Sequence, residues 1–214
     1  MTREPPYKLA AFDFDGTLAD TMPWFFSTLD ALADRHRFRH VSAAEAETLR
    51  HQTSREVVQA LGISRWRIPF IARDFSRRMA KAAAADTFTL FPGVADLLAA
   101  LTSAGIAVAI VSSNRETTIR HILGPSAAHV THFACSAALF GKARKFQKLI
   151  RQTGLPLKSI LSIGDELRDI EAARSVGIST AAVTWGYARE SALRAAGPDG
   201  VFQSVEELRN ALIR

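Results

Sequence analysis

Apolar residues fall along this chain in two alternating patterns. Leu9-Ala10-Ala11-Phe12-Asp13-Phe14 is a short apolar run, broken by one carboxylate and ended by Gly16-Thr17, which predicts a buried strand feeding a loop. Comparable runs occupy 106–111, 159–163 and 178–183, with a weaker one at 130–134. Between them the period changes from that of a strand to that of a helix. Val94, Leu97, Leu98 and Leu101 form a stripe after Pro92-Gly93, and Gly105 supplies a stop. Ile119, Ile122 and Leu123 predict a second helix, Phe146, Leu149 and Ile150 a third, and Ile170, Ala173 and Val176 before Gly177 a fourth. Strands alternating with helices predict an α/β fold, a parallel sheet with helices on both faces.

Residues 18–88 break this rhythm. They contain no strand-like run, and their apolar positions repeat at helical spacing: Phe25, Leu29 and Leu32 on one face, Val57, Val58 and Leu61 on another, and Ile71, Phe75, Met79 and Ala82 on a third. Gly62 and Pro69 punctuate them. The pattern predicts an all-helical domain, 18–88, inserted into an α/β core formed by 1–17 and 89–214.

Length and composition bound the rest. A chain of 214 residues, 48% hydrophobic and 22% charged, can bury a sizeable core and is far from the composition of disordered chains. The single cysteine, Cys135, cannot close an internal disulfide, and no His/Cys cluster has zinc-finger spacing. A reducing cytoplasm is the expected setting, because the start lacks an apolar signal region and no apolar run approaches the ~20 residues that span a bilayer. The net charge is +6, and the helical insertion carries +3 of it on 11 basic and 8 acidic residues.

Candidate chemistry lies where predicted strands end. Asp13 and Asp15 sit at the carboxyl end of the first strand, the edge at which open α/β sheets bind ligands. Gly16 allows close backbone approach and offers an amide to an anion. Ser112-Ser113-Asn114 follows the second core strand and precedes a helix whose N-terminus favours negative charge. Lys142 follows Gly141 at another helix start, with Lys145 and Lys148 as nearby competitors. Asp165 and Asp169 lie one helical turn apart in Gly164-Asp165-Glu166-Leu167-Arg168-Asp169, after a buried strand. Taken singly, each of these is also compatible with a turn or a helix cap.

Asp13-Phe14-Asp15-Gly16-Thr17-Leu18-Ala19-Asp20 resembles the first motif of the haloacid dehalogenase-like superfamily. The series Ser112, Lys142 and Gly-Asp-x-x-x-Asp at 164–169 resembles its second, third and fourth motifs in the same order. The resemblance implies a Rossmann-like core with Asp13 as the nucleophile that becomes an aspartyl-phosphate, and Asp15 as the acid that protonates the leaving oxygen and then activates water. Branches of the superfamily that cleave carbon–halogen or carbon–phosphorus bonds lack the second Asp, so the presence of Asp15 favours phosphate esters. Ser112 is expected to hydrogen-bond a phosphoryl oxygen, Gly16, Ser113 and Asn114 to add phosphate-binding groups, and Lys142 to neutralise charge during transfer. Mg²⁺ is the implied cofactor, bound through Asp13, the Asp15 backbone carbonyl and Asp165, with Asp169 holding a metal-bound water or orienting Lys142.

An insertion between the first two motifs resembles the C1 type of cap found in phosphoglycolate phosphatases and β-phosphoglucomutases. The reading is a Mg²⁺-dependent phosphatase acting on a small anionic phosphomonoester metabolite, with no membrane partner. Its alternatives are a phosphomutase of the same fold, or a non-catalytic protein that binds phosphate or nucleic acid.

Arg50 and Arg55, between two predicted cap helices, are candidates for a second anionic group of the substrate, although surface roles compete. The stripe Arg73, Arg77 and Lys81 reads as a solvated face. Arg35-His36-Arg37-Phe38-Arg39-His40 is the most basic stretch, and Phe38 is its single aromatic residue, a weak basis for nucleic-acid binding. Trp24 reads as a packing residue, the six histidines as structural or surface groups, and Cys135 as buried filler.

Overall fold

The computed structural model describes residues 6–135 and 141–213. Six parallel strands, β1 (Leu9–Phe12), β2 (Ala107–Ile110), β3 (His132–Phe133), β4 (Ile160–Gly164), β5 (Ser179–Val183) and β6 (Gly200–Phe202), form one sheet in the order β3-β2-β1-β4-β5-β6. All five predicted strands are present. The sixth, β6, was not predicted, because three residues carry too little periodicity to stand out.

Strand β1 is central, and its residues divide between two cores because successive side chains of a strand point to opposite faces. Ala10 and Phe12 join Leu97, Leu98 and Leu101 of α5 (Val94–Ser103), Ile119 and Leu123 of α6 (Glu116–Leu123), and Leu208 and Leu212 of α10 (Val205–Leu212). Leu9 and Ala11 join Phe146 and Leu149 of α7 (Lys142–Thr153) and Ala173 of α8 (Leu167–Arg174) on the other face. Helix α9 (Glu190–Ala195) packs Leu193 on Ala182 of β5 and Ile170 of α8. The predicted α8 stripe overreaches: the helix stops at Arg174, and Val176 and Gly177 lie in the turn that follows, with Gly177 at φ +80°. Helices α9 and α10 add to the four core helices that the apolar pattern predicts.

Between β1 and α5 the chain makes α1 (Met22–His36), α2 (Ala43–Leu49), α3 (Ser54–Ala60) and α4 (Ile68–Ala83) and no strand among the described residues. The local chemistry sets these boundaries. Pro23 and Pro69 occupy first-turn positions, where a missing N–H costs nothing. Ser42 accepts from the Glu45 amide, and Thr53 and Glu56 cap α3 reciprocally. These helices share their own small core of Leu32, Ala33, Phe38 and Leu61. Trp24 packs between Phe75 and Phe88, tilted against the first and edge-on to the second, at ring separations of 5.4 and 5.2 Å, a packing role. Among the described residues no helix is long and apolar enough to cross a membrane.

The α5 face tests the packing of the first core. Leu98 is fully buried there, and replacing it by Ala should remove about 2–5 kcal/mol of stability, the usual cost of deleting a large core side chain. Urea denaturation measures this, and a loss below about 1 kcal/mol would contradict the tight packing of α5 on the sheet.

Candidate functional site

Three neighbouring strands, β2, β1 and β4, end side by side, and the candidate residues follow directly from those ends. The backbone of Asp13 is still tied to the sheet, its amide donating to the Ile163 carbonyl at 2.8 Å. The side chain of Asp13 is buried, and its Oδ1 accepts from the Phe14 amide at 2.8 Å. Its Oδ2 lies 2.9 Å from Lys142 Nζ and 4.0 Å from Arg168 Nη2. Burial pushes the Asp13 carboxyl up, but Lys142 and Arg168 outweigh it and hold Asp13 below the usual carboxylate range.

Lys142 also donates to Asp169 Oδ1 at 2.5 Å, and so stands between two acids. Burial works against its charge, yet Asp13 and Asp169 prevail and raise its pKa. Of the three candidate lysines, Lys142 is the one against Asp13. Lys145 turns to the Ser112 carbonyl at 2.6 Å and is pushed down to about 8 by burial and by Lys142, and Lys148 is exposed. Phe140, which precedes Gly141 and Lys142 in the sequence, lies outside the described residues.

Asp165 is fully buried beside this pair. Thr17 donates to its Oδ1 at 2.5 Å and the Tyr187 amide to its Oδ2 at 2.8 Å. Burial, then Glu166, Asp169 and Asp13, raise its pKa well above normal. Asp169 is raised to about 6 by burial despite Lys142, and its Oδ2 accepts from the Glu166 amide at 3.1 Å. Both oxygens of Asp169 are therefore engaged, which suits it to orient Lys142. Asp15, two residues beyond Asp13, is raised to about 7 by burial and by the Asp13 charge.

Asp13, Asp165 and Asp169 each bring one carboxylate oxygen within 4.8 Å of the others, all buried. Asp15 Oδ1 is buried without a hydrogen bond, and Asp13 Oδ2 is buried with the Lys142 ammonium as its near neighbour. Crowded hard oxygens with unspent lone pairs fit a divalent cation such as Mg²⁺. The close approach depends on glycine. A Cβ on Gly16, at φ +78°, would press on Asp165 and lie 2.5 Å from the Tyr187 ring, and one on Gly186 would collide with the Asp165 side chain.

Ser112 is buried at the end of β2, and its hydroxyl accepts from the Asn114 amide at 3.0 Å, leaving its own proton free to donate. The Asn114 side chain is committed elsewhere, accepting from the Arg115 amide at 2.8 Å and donating to Met79 Sδ at 3.1 Å. Ser113 faces the space between the helical segment and the core. Arg50 donates through Nε to the Tyr187 carbonyl at 2.7 Å and through Nη2 to the Gly186 carbonyl at 3.1 Å, so it ties the helical segment to the core. Arg55 is exposed on α3.

Three participants escaped the sequence reading. Arg168 pairs with Glu166 at 2.5 Å and reaches towards Asp13, Tyr187 places its amide on Asp165 and its hydroxyl 3.1 Å from that of Thr21, and Glu166 also accepts from Ser54 at 3.2 Å. Arg168 and Glu166 stand inside the acidic motif at 164–169, so the sequence holds that signal. Tyr187 had none.

Within the basic stretch at 35–40, four of the side chains meet local acids. Arg35 and His36 meet Asp74, Arg39 meets Glu45, and His40 lies between Asp30 and Asp34. Cys135 is partly buried, its thiol raised to about 11 by burial and Glu116.

The family model described as haloacid dehalogenase-like hydrolase matches residues 10–183. The chain belongs to that family. It is 33% identical over 203 residues to the phosphoglycolate phosphatase of Synechococcus elongatus, covering 94% of this chain and 95% of that protein. It therefore lies on the phosphoglycolate phosphatase-like branch and is a phosphatase. It is also 28% identical to the tyrosine-protein kinase PtkA of Mycobacterium tuberculosis, over 96% of this chain and 72% of that one. Among solved structures, a haloacid dehalogenase-like family hydrolase from Streptococcus pneumoniae shares the fold, with a TM-score of 0.76, 22% identity and coverage of 95% and 97% of the two chains.

The glycine cradle generates a direct test. Gly16→Ala should cost about 1–2 kcal/mol from the left-handed backbone alone, and more as Asp165 and Tyr187 are displaced. Thermal melting with near-ultraviolet circular dichroism reads both effects. An unchanged melting temperature would show that residue 16 is not held against Asp165.

Proposed function

We propose that this phosphatase hydrolyses a small phosphomonoester in two steps through an aspartyl-phosphate on Asp13, with Mg²⁺ as cofactor. We further propose that residues 18–88 act as a cap over a core of 1–17 and 89–214. The observation that carries the reading is the placement of Asp13, kept anionic by Lys142 and Arg168, with the second acid Asp15 two residues away.

An Asp13 oxygen attacks phosphorus, and the ester bond breaks as the leaving oxygen takes a proton from the Asp15 carboxyl. Water then attacks the same phosphorus, gives its proton to the Asp15 carboxylate and releases inorganic phosphate and free Asp13. Dividing the transfer in this way replaces one difficult displacement by two easier ones. Lys142 and Arg168 offset the charge that accumulates on the transferring oxygens. Ser112 donates its free hydroxyl proton to a phosphoryl oxygen, Ser113 contributes its backbone amide, and Asn114 holds the start of that loop against α4; the expected Gly16 amide does not take part, because it donates to the Ala19 carbonyl at 2.9 Å within the turn. Asp13, Asp165 and the Asp15 backbone carbonyl would hold Mg²⁺, while Asp169 keeps Lys142 in place. When bound, the metal supplies positive charge against which an anionic ester can approach these carboxylates.

Asp13→Asn should lower kcat for a generic aryl phosphate by about 10³-fold or more while the protein stays folded, because an amide does not replace the nucleophile. Steady-state hydrolysis beside thermal melting checks this, and substantial turnover in the folded variant would remove Asp13 from its role.

Chelation with EDTA should abolish hydrolysis, Mg²⁺ should restore it, and Asp165→Asn should raise the Mg²⁺ concentration needed for half-maximal rate by about 10-fold or more. Metal titrations of both proteins decide the point. Identical titration curves would contradict the metal assignment.

A further inference from the structure

A cavity of about 310 Å³ runs from Asp15 into the interior of the four-helix segment. That is roughly twice the ~150 Å³ apolar cavity that accepts benzene in an engineered protein. Its charged lining residues are Asp15, Arg50, Glu166 and Arg168, gathered where the helices meet the core. The two cations among them are already engaged, Arg50 by the carbonyls of Tyr187 and Gly186, and Arg168 by Glu166 and Asp13. Beyond that mouth the wall is apolar, with Leu29, Phe38, Val57, Ile71 and Met79 among its residues. Arg55 is not part of it.

Aromatic rings lead from the carboxylates into this space. Tyr187 meets Phe25 edge-on at 5.6 Å, and Phe25 meets Phe75 at 5.8 Å. Two uncharged polar atoms, Ser76 Oγ and Gln52 Oε1, are buried on the cavity wall without a hydrogen-bond partner, and Ser76 is only 5% exposed. A wall of this kind favours apolar and aromatic surface with at most a neutral hydrogen-bonding group. It offers no uncommitted cation to a second anion.

We infer that the cavity receives the leaving-group end of the substrate, and that the leaving alcohol is apolar, aromatic by preference, and free of a second charge. The inference rests on the phosphatase reading above and replaces the expectation that Arg50 or Arg55 reads a second anionic group. The phosphoryl group stays with Asp13, Lys142 and Ser112, and the alcohol extends past Tyr187 and Phe25.

The test compares ethyl phosphate, 2-phenylethyl phosphate and 2-phosphoglycolate, three alkyl esters that differ chiefly in the group beyond the reacting oxygen. At about 25 cal/mol per Å², burying the roughly 100 Å² of a phenyl ring corresponds to about 70-fold in kcat/KM. The expected order is therefore 2-phenylethyl phosphate well above ethyl phosphate, with 2-phosphoglycolate no better than ethyl phosphate. Ala46→Phe from α2 and Ser76→Leu from α4 each fill the cavity, and either folded variant should bring the phenylethyl-to-ethyl ratio towards one.

A ratio within threefold in the wild type, or a preference for 2-phosphoglycolate, would overturn the inference. Absence of hydrolysis with every ester would instead overturn the phosphatase reading. The cavity is then judged by binding of 2-phenylethanol to the resting enzyme, followed through the Met79 methyl resonance. A shift that is lost in Ala46→Phe supports the pocket, and no shift in the wild type refutes it.

Discussion

Five carboxylates, Asp13, Asp15, Asp165, Glu166 and Asp169, crowd the ends of two adjacent strands, and Lys142 and Arg168 are the cations that face them. The excess of negative charge governs the rest of the site. Burial first, and then the neighbouring carboxylates, raise the pKa of Asp165 and of Asp169, the latter even with Lys142 against it. Asp13 is the exception, because Lys142 and Arg168 both converge on it. The same imbalance would repel an anionic ester, and a divalent cation held by these carboxylates would supply the missing positive charge.

Such crowding demands backbone that can approach carboxylates without a Cβ. Gly16, Gly164 and Gly186 each stand where a methyl would collide with Asp165 or Asp169. The parallel sheet supplies the other requirement. Strands β1 and β4 are neighbours in register, Phe12 beside Ile163, so Asp13 and Asp165 emerge together although 152 positions separate them in sequence. The helical segment completes the arrangement from above. Arg50 clamps the loop that bears Tyr187, and Ser54 holds Glu166, so the mouth of the cavity and the charged cluster share one set of contacts.

Much of this was legible in the chain. The apolar runs that became β1, β2, β4 and β5 were long enough to read, and the acids at their ends stood in a spacing that local structure preserves. The choice among Lys142, Lys145 and Lys148 was harder, since three cations within two helical turns look alike until α7 is placed against the sheet. Arg168 hid inside an acidic motif whose carboxylates drew the attention. Arg50 showed a different limit: an exposed-looking guanidinium in sequence is, in the fold, spent on two carbonyls from a loop more than a hundred residues away. Tyr187 and the hollow interior of the helices could not be read from periodicity, because an amphipathic stripe reports that a face is covered and not how tightly it is packed.

The central claim is that Asp13 itself carries the phosphoryl group. Slowing the second step with Asp15→Asn, mixing with an aryl phosphate, quenching rapidly and reducing with borohydride converts an acyl phosphate into the corresponding alcohol, which peptide mass mapping locates. The account predicts that this change appears at residue 13, grows within the first turnover and is absent without substrate. Reduction mapped to another carboxylate, or a burst of released alcohol with no reducible residue, would contradict it.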